Sequence, residues 1–245
     1  GLIETDIHLF GVDEGGAILL FGADGMGRDL FSRLVLGSQI SLTVPFAGTI
    51  ISFVLGIILG GISGYFGGTI DTVIQRIIEV LSSLPSIPLW MALSAAIPPD
   101  IPVVRTYLYI TIIVSFLSWT GLARIVRGKF ISLRKEDYIM AAKIAGVSNG
   151  RIITKHLVPG FMSYLIVNLT LGIPGMIIGE TSMSFLGLGI RSPATSWGVL
   201  LQEAQEISNI AMYPWKLIPL FAVIISVLAF NFIGDGLRDA ADPYK

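Results

Sequence analysis

The sequence predicts an all-α protein that crosses a membrane several times, and three observations support this. Of its 245 residues, 53% are hydrophobic and only 13% are charged. Soluble domains typically carry about 25% charged residues, which keep their surface in water. In addition, five stretches approach the roughly 20 apolar residues that a helix needs to cross a hydrocarbon core of about 30 Å. Because lipid offers no hydrogen-bond partners to the backbone, these stretches are predicted to be helices.

The five predicted spans are residues 40–65, 77–97, 106–123, 161–185 and 217–234. Pro85 and Pro88 interrupt the second span, and they predict a kink or a break because proline lacks a backbone donor. Glycines four residues apart lie on one face of the first span, and the same spacing recurs in the fourth: Gly56, Gly60, Gly64 and Gly68, then Gly175 and Gly179. Such glycines let a second helix approach closely, and we expect that helix to belong to the same chain rather than to another subunit.

The basic residues predict the orientation of the chain. Eight of its 16 Lys and Arg residues lie between the third and fourth spans: Arg124, Arg127, Lys129, Arg134, Lys135, Lys143, Arg151 and Lys155. Short loops rich in Lys and Arg stay in the cytoplasm, so residues 124–160 are predicted to be a cytoplasmic loop. Residues 1–37 then form an extracytoplasmic N-terminal segment, 38–236 a transmembrane domain and 237–245 a cytoplasmic tail. With this arrangement, we expect a sixth helix before residue 1.

The cytoplasmic loop contains a predicted short helix with a small-residue stripe. Tyr138, Ala141, Ala142 and Ala145 follow helical spacing on one face, and Gly146 is placed to end the helix in a left-handed conformation. The pattern leaves two interpretations open. The helix could dock in a protein groove, or it could rest on lipid headgroups.

The loop resembles the EAA loop of ABC importer permeases. Ala141 and Ala142 are followed after three residues by Gly146, and Pro159 comes thirteen residues later. Met140 stands where that family usually has Glu, and Val158 where it usually has Leu. Further similarity to the C-type permeases of dipeptide, oligopeptide and nickel importers runs in order through residues 21–34, 64–76, 119–128, 179–189, 196–201 and 228–243.

This resemblance implies a type I ABC importer permease bundle in the inner membrane, which carries peptides or similar small solutes. It implies that the loop forms a coupling helix, with these residues contacting an ATPase: Tyr138, Ala141, Ala142, Ala145, Gly146 and Pro159. It also implies several partners, namely a homologous second permease, two ATP-binding cassette subunits and an extracytoplasmic solute-binding protein, besides the lipid bilayer.

The chain is not predicted to be an enzyme, to carry a cofactor or to bind nucleic acid. It contains no G-x-x-x-x-G-K-[ST] phosphate loop, since its one Gly-Lys pair, Gly128–Lys129, precedes Phe130. It has no cysteine and two histidines, and its net charge is −1. An ATP-independent transporter or channel would be expected to show inverted repeats and several ionisable residues within its spans, and an intramembrane enzyme to show a nucleophile and base.

Glu180 is the notable acidic residue of the fourth span. A carboxylate inside a membrane is costly unless it is paired or faces water, so it is a candidate for the solute pathway. The alternative is a helix-end residue that reaches the membrane interface.

Overall fold

The computed structural model describes residues 19–98, 101–205 and 211–241. These residues form helices and connecting turns, with a single isolated bridge between Ala23 and Asp29. The longer helices are α1 (Leu30–Phe66), α2 (Gly68–Ser83), α3 (Ser86–Ala95), α4 (Val103–Leu133), α7 (Met162–Phe185) and α9 (Ile218–Ala241). The shorter ones are α5 (Asp137–Ile144), α6 (Asn149–Ile152) and α8 (Trp197–Glu203).

Four helical stretches within the described ranges are long and apolar enough to cross a membrane, namely Leu30–Phe66, Arg105–Leu133, Asn149–Phe185 and Pro214–Ala240. The second predicted span, residues 77–97, is broken, because α2 and α3 meet at an angle of 92°. The break lies at Leu84 and Pro85, where the prolines predicted it. It makes this pair either a broken span or a re-entrant segment.

The helix ends differ from the predicted domain boundaries. The boundary at residue 38 falls inside α1, because the Asp29 carboxylate accepts hydrogen bonds from the Phe31 and Ser32 amides and starts the helix earlier. The predicted loop boundary at residue 124 falls inside α4, which continues to Leu133, so the predicted loop 124–160 begins as helix. The predicted tail boundary at 237 likewise falls inside α9, while residues 1–18 and 242–245 lie outside the described residues.

Glycines bring α1 and α4 into close contact. A methyl group on Gly60 would lie 2.4 Å from the Ala123 carbonyl oxygen, and one on Gly64 would lie 2.6 Å from the Arg127 carbonyl oxygen. Gly56 meets the Leu122 side chain in the same way. The preference for packing within the chain is therefore correct for these three glycines.

Gly68 does not share this face, contrary to the prediction. The first helix ends at Phe66, and Gly68 begins α2 with a positive φ of 58°. In the fourth span, a methyl group on Gly179 would meet Trp90 at 3.6 Å, whereas one on Gly175 would meet no neighbour within 4 Å.

Candidate functional site

The predicted loop helix is present as α5, and Gly146 ends it. Gly146 has a φ of +75°. Its amide donates to the Lys143 carbonyl oxygen at 3.0 Å, and the Val147 amide donates to the Ala142 carbonyl oxygen at 3.1 Å. This pair of bonds is the Schellman arrangement, which favours glycine at the left-handed position.

One side of α5 is fixed to the bundle. Ile139 is fully buried, and Ala142 is half-buried against the same core. That core also contains Val126 and Phe130 of α4 and Leu165 of α7. The predicted stripe is therefore divided, because Ala142 turns partly towards the bundle. Sequence reasoning missed Ile139, although its spacing of three from Ala142 was a usable signal.

The opposite side of α5 is exposed. We define the docking face as Tyr138, Ala141, Ile144 and Ala145, which occupy one continuous arc of the helix and are all exposed. The Ile144 side chain is 86% exposed, and that of Tyr138 is 46% exposed. Sequence reasoning missed Ile144, because the small-residue stripe drew attention to the alanines. An apolar side chain displayed on a short helix among basic residues suggests a surface that a partner covers.

Pro159 lies near the docking face. It is exposed and opens the 3₁₀ turn Pro159–Phe161, which leads into α7. A methyl group on the next residue, Gly160, would lie 3.7 Å from the Tyr138 hydroxyl oxygen. The structure thus gathers the six predicted coupling residues at one end of the bundle, which we call the basic end.

Tyr65 connects this end to α1. Its hydroxyl donates to Asn149 Oδ1 at 2.7 Å, and Lys143 Nζ lies 5.2 Å from the centre of its ring. Arg134 Nη1, at the end of α4, donates to the carbonyl oxygens of Gly64 and Tyr65 at 3.0 and 3.1 Å. Tyr65 is therefore a junction between α1, α4, α5 and α6, and sequence reasoning gave no signal for it.

Glu180 lies at the opposite end of the bundle and is fully buried, so it does not reach the protein surface. Its carboxylate accepts hydrogen bonds from Ser184 Oγ at 2.7 Å and from Ser41 Oγ at 3.3 Å. Ser184 Oγ in turn accepts from the Ile190 amide at 3.1 Å, and Ser41 Oγ from the Trp197 amide at 2.9 Å. Glu180 thus supports both ends of the segment 190–197. The alternative of an interface-seeking side chain is wrong.

A cavity of about 340 Å³ lies between α1, α3, α4 and α7. Its wall consists of uncharged residues, and the polar ones are Thr49, Ser52, Trp90, Ser118 and Asn168. Gly179 contributes to the wall, but the neighbouring Glu180 does not. The cavity therefore offers a few hydroxyl and amide groups in a largely apolar wall, with no fixed charge.

Comparison with known proteins decides the family. Residues 52–244 match the family described as "Binding-protein-dependent transport system inner membrane component". The chain belongs to this family. The prediction of a multi-pass inner-membrane permease of an ABC importer is thereby confirmed.

Two relatives illustrate how far the similarity of this permease extends. It is 42% identical over 224 residues to the oligopeptide transport system permease protein OppC of Haemophilus influenzae, covering 91% of this chain and 70% of that protein. It is 40% identical over 224 residues to the dipeptide transport system permease protein DppC of Bacillus subtilis, covering 91% of this chain and 68% of that protein.

Solved structures confirm the predicted type I permease fold. The permease superposes on a chain of the inward-facing MetNI methionine ABC transporter with a TM-score of 0.68, at 19% identity, over 87% of this chain and 98% of that one. It also superposes on a chain of an amino acid ABC transporter with a TM-score of 0.61, at 14% identity, over 86% of this chain and 94% of that one.

Proposed function

We propose that this permease forms half of a translocation pathway for peptides or similar small solutes and that α5 couples the pathway to ATP hydrolysis. The observation that carries the proposal is the docking face, an apolar surface on a helix whose other side is anchored in the core. The relatives named above transport oligopeptides and dipeptides, which supports peptides as the cargo.

The docking face has the chemistry of a protein-binding surface. Burying a side chain such as Ile144 contributes about 1.5–3 kcal/mol, and the small side chains of Ala141 and Ala145 let a groove approach the helix backbone. The anchored side, through Ile139, makes α5 move together with the bundle. An ATPase subunit that grips the docking face would thus displace the ends of the adjoining spans.

The orientation follows from the charges at the basic end. If this end faces the cytoplasm, as its Lys and Arg residues favour, α5 meets ATPase subunits there. The segment 190–197 and α8 then face the exterior, where a solute-binding protein would deliver cargo. A second, homologous permease would complete the pathway, and each permease would dock one of two ATP-binding cassette subunits.

The uncharged cavity suits a peptide pathway. Hydroxyl groups such as those of Thr49, Ser52 and Ser118 can bond to peptide groups, whereas side chains of differing charge meet no fixed charge in this wall. Glu180 remains a candidate pathway residue by prediction, but its place outside the cavity wall favours a supporting role. We propose that the binding protein, rather than this wall, selects the cargo.

The test uses cysteines introduced into a chain that has none of its own. Ile144→Cys should react with a membrane-impermeant maleimide in inside-out vesicles that lack ATPase subunits, and in the complete importer it should cross-link to the groove of the ATPase subunit. Met26→Cys is the matched control, because Met26 is 79% exposed but belongs to the opposite end. It should react only in right-side-out vesicles and should form no cross-link to the ATPase.

Three outcomes would contradict the proposal. If Ile144→Cys reacted from the outer side, the orientation would be reversed. If it faced the cytoplasm but cross-linked only to lipid, α5 would be a headgroup-bound helix. Solute uptake by vesicles that lack ATPase subunits would favour the ATP-independent transporter instead.

A further inference from the structure

The longest helix of the permease connects its two ends. Helix α1 has 37 residues, so it measures roughly 55 Å at 1.5 Å per residue. It begins beside α8 and ends beside α5 and α6. Pro45 lies within it, but the helix continues through that position to Phe66.

At the basic end, α1 is joined to the docking helix through Tyr65. The ring is 8% exposed and packs in the same core as Ile139 and Ile152. The hydroxyl bond to Asn149 and the Lys143 ammonium over the ring add a directional attachment to this packing. A displacement of α5 and α6 therefore acts directly on the last turn of α1.

At the other end, α1 is joined to α8 by an ion pair between the buried Arg33 and the half-buried Glu203. Arg33 donates to both carboxylate oxygens of Glu203 at 2.6 and 2.8 Å, and to Asp24 at 2.6 Å. Burial by itself would raise the pKa of Asp24, but hydrogen bonds from the Arg28 and Met26 amides and from the Arg28 guanidinium outweigh it and lower that pKa. Asp24 is therefore charged at neutral pH and holds Arg33 in place.

Two further bonds attach α1 to the start of α8. The Trp197 indole Nε1 donates to the Leu34 carbonyl oxygen at 3.1 Å, and the Trp197 amide donates to Ser41 Oγ at 2.9 Å. Close to the basic end, α1 is also packed backbone to backbone on α4 through Gly60 and Gly64. Such contacts leave little room for this part of α1 to move without α4, so a displacement at Tyr65 moves the two helices together.

We infer that α1 acts as a lever between the docking helix and α8, with Tyr65 as the positioning residue at one end and the Arg33–Glu203 pair at the other. This inference rests on the proposed function. When the ATPase subunits move α5, Tyr65 carries that displacement into α1, and α8 follows at the opposite end. If the attachment at either end is lost, ATP can be hydrolysed without the translocation pathway switching between its inward-open and outward-open states.

The test measures solute taken up per ATP hydrolysed by the complete importer in vesicles, with its binding protein. In Tyr65→Phe the ring and its packing remain, but the bond to Asn149 is lost. We expect uptake per ATP to fall by at least about twofold, the factor that one hydrogen bond of ordinary net strength allows. Tyr109→Phe, at an exposed position of α4, is the control and should match the parent.

Two double variants separate a lever from general destabilisation. Tyr65→Phe with Asn149→Leu lacks the same hydrogen bond as Tyr65→Phe alone, so it should lower uptake per ATP to the same extent and no further. Glu203→Gln should lower the ratio by itself, but it should add nothing to Tyr65→Phe, because a lever released at one end loses nothing more at the other.

The inference fails if Tyr65→Phe takes up as much solute per ATP as the parent. It also fails if the double variant of Tyr65→Phe and Glu203→Gln shows the product of the two single reductions in uptake per ATP. In either case, the cross-link from Ile144→Cys to the ATPase would still form and the proposed function would stand. Absence of that cross-link in the parent background would instead overturn the proposed function itself.

Discussion

The close contact of α1 and α4 makes Gly60 the position where a single methyl group should matter most. In Gly60→Ala the new Cβ would lie 2.4 Å from the carbonyl oxygen and 2.8 Å from the Cα of Ala123. Ordinary contacts between heavy atoms lie at about 3.5 Å or more. Both neighbours are helix backbone and cannot rotate away, so the helices must separate by about 1 Å.

The expected loss of stability follows from this separation. Overpacking costs about 1–3 kcal/mol, and a collision with backbone belongs at the upper end of that range. Alanine returns up to about 1 kcal/mol through its better helix propensity. We therefore expect Gly60→Ala to lower the free energy of unfolding by about 2 kcal/mol.

Gly128→Ala is the matched control on the facing helix. A methyl group there would meet no neighbour within 4 Å, so only the propensity term applies and stability should rise by up to about 1 kcal/mol. Thermal unfolding of the purified permease in detergent measures both variants. The reasoning is refuted if Gly60→Ala unfolds at or above the temperature of the parent, or if Gly128→Ala loses as much as Gly60→Ala.

Three further predictions concern charged groups. Glu180→Gln should lower uptake of cationic and neutral peptides by the same factor, because the carboxylate supports segment 190–197; a selective loss of cationic cargo in transport assays would make Glu180 a pathway residue. Asp24→Asn should lower the unfolding temperature at neutral pH, where Asp24 is ionised in the parent. The pKa of Asp24 is lowered from its ordinary 3.8, so the difference in unfolding temperature between parent and Asp24→Asn should disappear as the pH falls below 3.8 and Asp24 becomes protonated. A difference that stays constant down to acidic pH would contradict a stabilising role for the ionised carboxylate. Arg127→Lys should cost about 1 kcal/mol, because Arg127 donates two bonds to Asp71 at 2.5 and 2.6 Å and lysine cannot form that fork. In the same unfolding assay, Arg76→Lys, at an exposed ion pair, should have no measurable effect.

The spans could be predicted because membrane burial leaves a signal in every residue of a helix. A stretch that must stay apolar over its whole length is visible without knowledge of its neighbours. The break before Pro85 was predictable for a similar reason, since proline acts on its own backbone. The start of α1 and the end of α4 were not. Residues 30–39 and 124–133 include polar and basic side chains, which resemble a loop when read alone.

The docking helix α5 also has some features that the sequence predicts and others that it does not. Its existence and its termination at Gly146 were predictable, because a left-handed residue after a helical run favours glycine. The side of α5 that faces the bundle was not predictable. Ile139 and Ile144 are the same residue type five positions apart, and only the position of the core makes one fully buried and the other 86% exposed.

The sequence alone determined that the chain lies in a membrane, that its basic loop carries a short helix and that its glycines permit a close helix contact. These properties depend on composition and spacing along one segment. Only the tertiary structure decided that Tyr65 meets Asn149, that Arg33 meets Glu203 and that Glu180 meets Ser41. Each of these contacts joins residues that are distant in the chain, and their pairing depends on how the helices pack rather than on any local preference.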